Sequence, residues 1–333
     1  MSEINLIRLN KLLAERGLAS RRGADKMITE GMVVVNGKKV YELGIKVNPN
    51  KDKIFVDGKP IKNKAENIYI MFNKPKNVIT SMSDPLERPT VADFMGELPV
   101  RVFPIGRLDW ESEGLLVLTN DGDFAQKVMH PKSEVTKTYH VKLEGQPQEY
   151  QIKKLLSGVS IPGGRVKAKH VEKLKMAKTK SKKTSEKNDW YKIIITEGKN
   201  HQVREMFKKI GFDVLKLHRV AIGKLRIGTL DRGQMVFLNE AATERIFMQD
   251  LPEDTHGRRD LRHKSTKAKP ADTTFKKFSK SLDKIKPGDK SAPKPSEKTA
   301  YKAKPAEKTT VKPVDKTATK PFYTAAKRTK GKT

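Results

Sequence analysis

The chain has 333 residues, enough for one large or two modest domains, with 70 Lys+Arg against 39 Asp+Glu and a formal charge of +31. So basic a chain calls for a polyanionic partner, nucleic acid ahead of an anionic membrane surface. Cysteine is absent, no apolar run reaches about 18 residues, and the seven histidines are scattered without a close helical pair; this excludes disulfides, thiolate metal sites and a spanning helix, and argues against zinc.

The chain starts Met-Ser-Glu-Ile-Asn, without a charged-then-apolar leader, so a cytoplasmic location is expected. Residues 1–62 read as a small separate module. Leu6, Leu9 and Leu13 fall on one helical face, and Gly17 stops that helix. Ser20 is a good N-cap for a second helix, Arg21 to Glu30, with Ala24, Met27 and Ile28 as its buried stripe. Arg21, Arg22 and Lys26 lie largely away from that stripe. Val33-Val34-Val35 leads into Asn36-Gly37, the strongest short hairpin pattern, followed by Lys38, Lys39 and Val40.

A larger domain follows, residues 66–250. Its strand candidates are Ile68–Phe72, Val102–Ile105, Leu115–Thr119, Thr138–Leu143, Arg165–Leu174, Trp190–Thr196 and Val214–Ile222. Several alternate apolar with charged, as in Lys137-Thr138-Tyr139-His140-Val141-Lys142-Leu143, which predicts a sheet with one wet face. Helix candidates are Asp123–Met129, Gln148–Leu156, Gln202–Ile210 and Glu240–Gln249. The mixed order predicts an α+β class with a mainly antiparallel sheet. Lys178–Lys187 reads as a basic loop between two strands. From Thr255 onward 24 Lys+Arg face 7 Asp+Glu, a net of +17, leaving +14 for residues 1–254. This stretch is rich in Lys, Pro and Thr and poor in apolar residues, so residues 255–333 are expected to be a disordered basic tail that raises non-specific RNA affinity.

Asp109, in Gly106-Arg107-Leu108-Asp109-Trp110-Glu111-Ser112-Glu113-Gly114, is an acid on a loop between two apolar strands. Spacing alone makes it no more than a candidate, since such an Asp is more often a turn residue.

Residues 8–40 resemble an S4 RNA-binding domain. The stretch Gly106 to Gly122 resembles the motif of the pseudouridine synthases that carry such a domain. The likeness extends to Asn73-Lys74-Pro75, Lys137-Thr138-Tyr139, Glu197-Gly198-Lys199-Asn200-His201-Gln202-Val203-Arg204-Glu205-Met206, and Leu217-His218-Arg219-Val220 with Ile222-Gly223. The resemblance implies an α+β catalytic domain behind an S4 module, and isomerisation of a uridine in ribosomal RNA. In that reaction the C1′–N1 bond breaks, the base turns and C1′ joins C5. No atoms are lost and no redox change occurs, so no cofactor or metal is expected. One carboxylate is required, as nucleophile on the ribose or as base at its 2′ position, and the sequence leaves both open.

By resemblance that carboxylate is Asp109. Arg204 is expected to pair with it and keep it ionised. Tyr139 is expected to stack on the flipped uracil, and its hydroxyl to be available for proton transfer at C5. Arg107 would hold the flipped nucleotide or the vacated site, and Lys74 would position the loop or bind a phosphate. His201 is expected to be structural or RNA-facing rather than a general base. Arg8, Lys11, Ser20, Arg21, Arg22 and Lys26 are the implied RNA contacts of the S4 module. The partner is expected to be large-subunit rRNA, with the Lys/Pro-rich extension favouring that branch over a small-subunit target, and the enzyme is expected to be a monomer. A non-catalytic ribosome-assembly factor is the competing class, disfavoured by the intact Asp109, Tyr139 and Arg204.

Overall fold

In the computed structural model of the chain, β1 (Ile7–Arg8) leads into α1 (Leu9–Glu15) and α2 (Arg21–Thr29). The description covers residues 6–96, 98–174 and 189–251. The expected tail and the Lys178–Lys187 loop lie outside these residues. The Ser20 side chain accepts from the Gly23 N–H at 3.0 Å and caps α2, as its position predicted. The first helix begins later than its leucine spacing suggested. Leu9, Leu12 and Leu13 are its buried face, while Leu6 is 49% exposed ahead of β1.

Two hairpins follow: β2 (Val33–Val35) with β3 (Lys38–Val40), then, past β4 (Lys46–Val47), β5 (Ile54–Val56) with β6 (Lys59–Pro60). Asn36 and Gly37 both have positive φ, the geometry this tight turn requires, and Asp57-Gly58 repeats it. β2 also pairs with β5, and β1 with β4. The helices and strands close on one small core of Leu9, Leu12, Leu13, Ala24, Ile28, Val33, Val47, Ile54 and Val56.

The rest is built on a nine-stranded sheet. In chain order its elements are β7 (Tyr69–Lys74), β8 (Phe103–Ile105), β9 (Glu113–Thr119), α3 (Gly122–Met129), β10 (Lys137–Leu143), α4 (Glu149–Ser157) and the hairpin β11 (Val159–Ile161)–β12 (Gly164–Val166). There follow β13 (His170–Lys173), β14 (Trp190–Ile195), α5 (Gln202–Lys209), β15 (Val214–Ile222), β16 (Leu225–Arg226), β17 (Met235–Phe237) and α6 (Glu240–Glu244). The strand order is β13-β14-β10-β15-β9-β7-β17, with β16 on β15 and β8 on β9. Every pairing is antiparallel except β9 with β15. The fold is therefore α+β with a mainly antiparallel sheet. The expected strand Arg165–Leu174 is two elements: its first half closes a hairpin outside the sheet and its second half enters the sheet as β13.

One sheet face buries Ile70, Phe72, Tyr139, Val141, Leu143, Ile193 and Ile195 against Val203, Met206 and Phe207 of α5 and Leu155 of α4. Each fully buried side chain of this size contributes about 1.5–3 kcal/mol. The opposite face buries Met71, Leu115, Val117 and Ile222 against Ala125 and Val128 of α3. Among the described residues no helix is long and apolar enough to cross a membrane.

Candidate active site

The chain leaves β8 through Gly106, at φ 73°, and re-enters the sheet at β9. The intervening loop, residues 106–112, is gripped by its own backbone. The Lys74 ammonium is fully buried and donates to the carbonyls of Asp109 at 3.2 Å, Ser112 at 2.8 Å and Pro75 at 3.0 Å. The Thr80 hydroxyl donates to the Leu108 carbonyl at 2.7 Å and accepts from the Leu108 N–H at 3.2 Å. The Ser112 N–H reaches the Asp109 carbonyl at 3.0 Å, and Leu108 is buried in the main core. Arg219 of β15, 3% exposed, donates from Nε to the Leu115 carbonyl at 2.7 Å and from Nη1 to the Arg107 carbonyl at 3.5 Å.

Held in this way, the loop presents the Asp109 carboxylate to a cavity of about 620 Å³. The walls include Arg107, Ser112, Lys137, Tyr139, His201 and Arg219. The volume suits a flipped nucleotide. Tyr139 stands on β10 opposite Arg219 on β15, and is 7% exposed. Lys137 opens the same strand and donates to the carbonyls of Val135 at 3.0 Å and Thr196 at 3.1 Å. Burial, with Arg219 nearby, pulls the Lys137 ammonium down to about 8; burial likewise pulls Lys74 down to about 8 against the attraction of Asp109.

Asp109, Tyr139 and Arg107 thus line one cavity, and Arg204 is not among its walls. Its Nη1 donates to the Val214 carbonyl at 3.0 Å, and its Nη2 lies 3.5 Å from Glu111, the next acid along the loop. The expected Arg204–Asp109 ion pair is not formed, and the guanidinium is turned to Val214 and Glu111 instead. The side chain within ion-pair distance of Asp109 is that of His201, with Nε2 at 3.6 Å from Oδ1. His201 sits at φ 50° in front of α5, and the buried Gln202 behind it accepts from the Lys199 N–H at 2.9 Å. The buried arginine of the site is Arg219. Lys74 cannot touch RNA, being fully buried; of its two expected roles the structure places it on the loop.

In the S4 module Arg8, Arg21 and Arg22 are exposed, and Lys26 pairs with Glu30 at 3.6 Å. Ser20 has its oxygen engaged as the helix cap. Lys11 reaches across to Asp123 on α3 at 2.7 Å and is also 3.5 Å from Glu15, so its charge is spent within the protein. Lys11 and Asp123 border a second cavity of about 550 Å³, lined also by Arg21, Arg101, Phe103 and Met129. Met129 borders both cavities.

Residues 68–209 match the RNA pseudouridylate synthase family, and residues 7–53 match the S4 domain. The chain is 41% identical over 239 residues to the ribosomal large subunit pseudouridine synthase B of Bacillus subtilis (strain 168), covering 72% of this chain and 95% of that protein. It is 38% identical over 242 residues to an uncharacterized RNA pseudouridine synthase of Aquifex aeolicus (strain VF5), covering 72% and 94%. A crystal structure of a pseudouridylate synthase superposes with a TM-score of 0.50 at 28% identity, covering 72% of this chain and 99% of that one. The chain therefore belongs to the RNA pseudouridylate synthase family and is an S4-bearing member of it.

Proposed function

We propose that this enzyme converts a uridine of large-subunit ribosomal RNA to pseudouridine in the cytoplasm, with Asp109 as the reacting carboxylate. The observation that carries the reading is the sharing of one cavity by the Asp109 carboxylate and the Tyr139 ring. A uridine swung out of its stack would lie on Tyr139, an aromatic contact worth about 1–3 kcal/mol toward the cost of extrusion. Its C1′ would then face Asp109, which either bonds to C1′ or removes the 2′ proton as the C1′–N1 bond breaks. Arg107, exposed at the mouth, would meet the phosphate beside the flipped nucleotide. The S4 module, with Arg21 and Arg22 in solvent, supplies affinity and register. The large-subunit target is supported by the relative of 41% identity that is named for it.

Asp109→Asn is expected to abolish product formation while leaving RNA affinity within about twofold. Turnover by that variant would remove Asp109 from its role. Pseudouridine mapping across both ribosomal RNAs, in cells with and without the gene, is expected to show one lost site in the large-subunit RNA. A lost site in the small-subunit RNA would overturn the target.

A further inference from the structure

Besides the exposed Arg107, two cations stand in the cavity of Asp109 with no carboxylate partner among the described residues. Lys137, half-buried, uses two of its three N–H donors on the carbonyls of Val135 and Thr196, which leaves one. Arg219 spends Nε and Nη1 on carbonyls, and its Nη2 is buried with no partner among those residues. The Ser112 Oγ, fully buried on the same wall, is likewise unpartnered. Buried polar groups are normally satisfied, and buried cations normally paired. A floor that keeps two positive charges and a free hydroxyl together is built for a negative charge that arrives during the reaction.

The chemistry supplies such a charge. When the C1′–N1 bond breaks, its electron pair leaves with N1, and the base becomes an anion delocalised over N1, O2 and O4. At C1′ the electron deficiency is met by a bond from the Asp109 carboxylate, or by loss of the 2′ proton to it. The base turns and C5 bonds to C1′ as the Asp109–C1′ bond breaks or as Asp109 returns the 2′ proton; the C5 proton departs and N1 gains a proton, so atoms and charge balance. Both routes pass through the same base anion. An RNA phosphate fits these cations less well. The exposed Arg107 is placed at the mouth for one, whereas Arg219 is buried directly across the strands from Tyr139, on which the base would lie.

We propose that Lys137 and Arg219 are catalytic residues that hold the negative charge of the detached uracil between cleavage and rejoining. This rests on the reading of the cavity as the site of isomerisation. Preorganised donors at a developing anion typically contribute about 10²–10³-fold in rate each.

The test is single-turnover rearrangement of a target stem-loop carrying uridine, or 4-thiouridine, whose base is the more acidic and keeps its C5 hydrogen. Lys137→Gln, which keeps a donor for the strand carbonyls, is expected to lose about 10²-fold on uridine and at least about tenfold less on 4-thiouridine. Its RNA Kd should be unchanged, and Lys137→Arg should recover most of the rate. Arg219→Lys is expected to show the same substrate dependence, provided its melting temperature matches the wild type. An equal loss on both substrates, or a loss confined to Kd, overturns the proposal. Asp109→Asn run alongside separates the two readings: if it is inactive while Lys137→Gln loses equally on both bases, the anion role alone falls. If Asp109→Asn turns over, the assignment of the pocket falls.

Discussion

Gly114 carries a φ of 112°, and a Cβ there would stand 2.3 Å from the Arg219 carbonyl oxygen and 2.4 Å from the His218 ring. It is the point where β9 meets β15, the one parallel contact of the sheet. Gly114→Ala is therefore expected to destabilise the protein by about 3 kcal/mol, through strain and the parting of two strands. A urea titration measures this, and an unchanged midpoint would contradict it. Lys74 makes a different kind of contribution. Lys74→Met would take the ammonium from the carbonyls of Pro75 and Ser112 and leave the Asp109 carbonyl only the Ser112 N–H, and the loop would lose its grip. A cost of about 1–3 kcal/mol per unsatisfied group is expected, together with a fall in turnover at unchanged RNA affinity. Lys74 and the half-buried Lys137 also set a pH response. Their folded values of about 8 lie below the ordinary lysine value of 10.5, so between those limits the unfolded chain holds protons that the folded one has released. Stability therefore rises with pH through that window, and the cost of charging is fully present below it. The urea midpoint of the wild type should gain on that of Lys137→Met between pH 8 and 10; a falling difference would reverse the assignment.

At the scale of elements, α1 and α3 are tied by Lys11 and Asp123. Lys11 is thus a poor RNA contact beside Arg21 and Arg22. Arg21→Ala with Arg22→Ala should weaken RNA binding several-fold, and lower the slope of log K against log salt by about 2. Lys11→Ala alone should leave that slope almost unchanged in filter binding. Much of this architecture was legible in the sequence. The Ser20 cap, the Asn36-Gly37 hairpin and the alternation along β10 are local signals, and the structure follows them. The split of Arg165–Leu174 was missed because the apolar pattern runs across a turn without a break in character. Arg204 was assigned from likeness alone, and no local signal says which carbonyl or acid a guanidinium will find. Arg219 did leave a trace. It shares the inward phase of β15 with Leu217, as Lys137 shares that of β10 with Tyr139, Val141 and Leu143, and Lys74 that of β7 with Ile70 and Phe72. A lone cation in the apolar phase of a strand marks a buried charge, and all three gather at one loop or pocket.

For the molecule as a whole, the charge is divided between a net +14 over residues 1–254 and +17 beyond them. Phosphate contacts give affinity without sequence preference, while the pocket gives the chemistry. Truncation after residue 254 is expected to slow RNA association and flatten its salt dependence, with the single-turnover rate at saturating RNA unchanged. A lower rate at saturation would show that these residues reach the pocket.

The loop that carries Asp109 is clasped by its peptide carbonyls, at Arg107, Leu108, Asp109 and Ser112. The side chains of Arg107, Trp110 and Glu111 stay in solvent and take little part in that clasp. Evolution, or an engineer, is thus free to rewrite the outward letters of this segment to suit another RNA neighbourhood, while the acid between them keeps its aim.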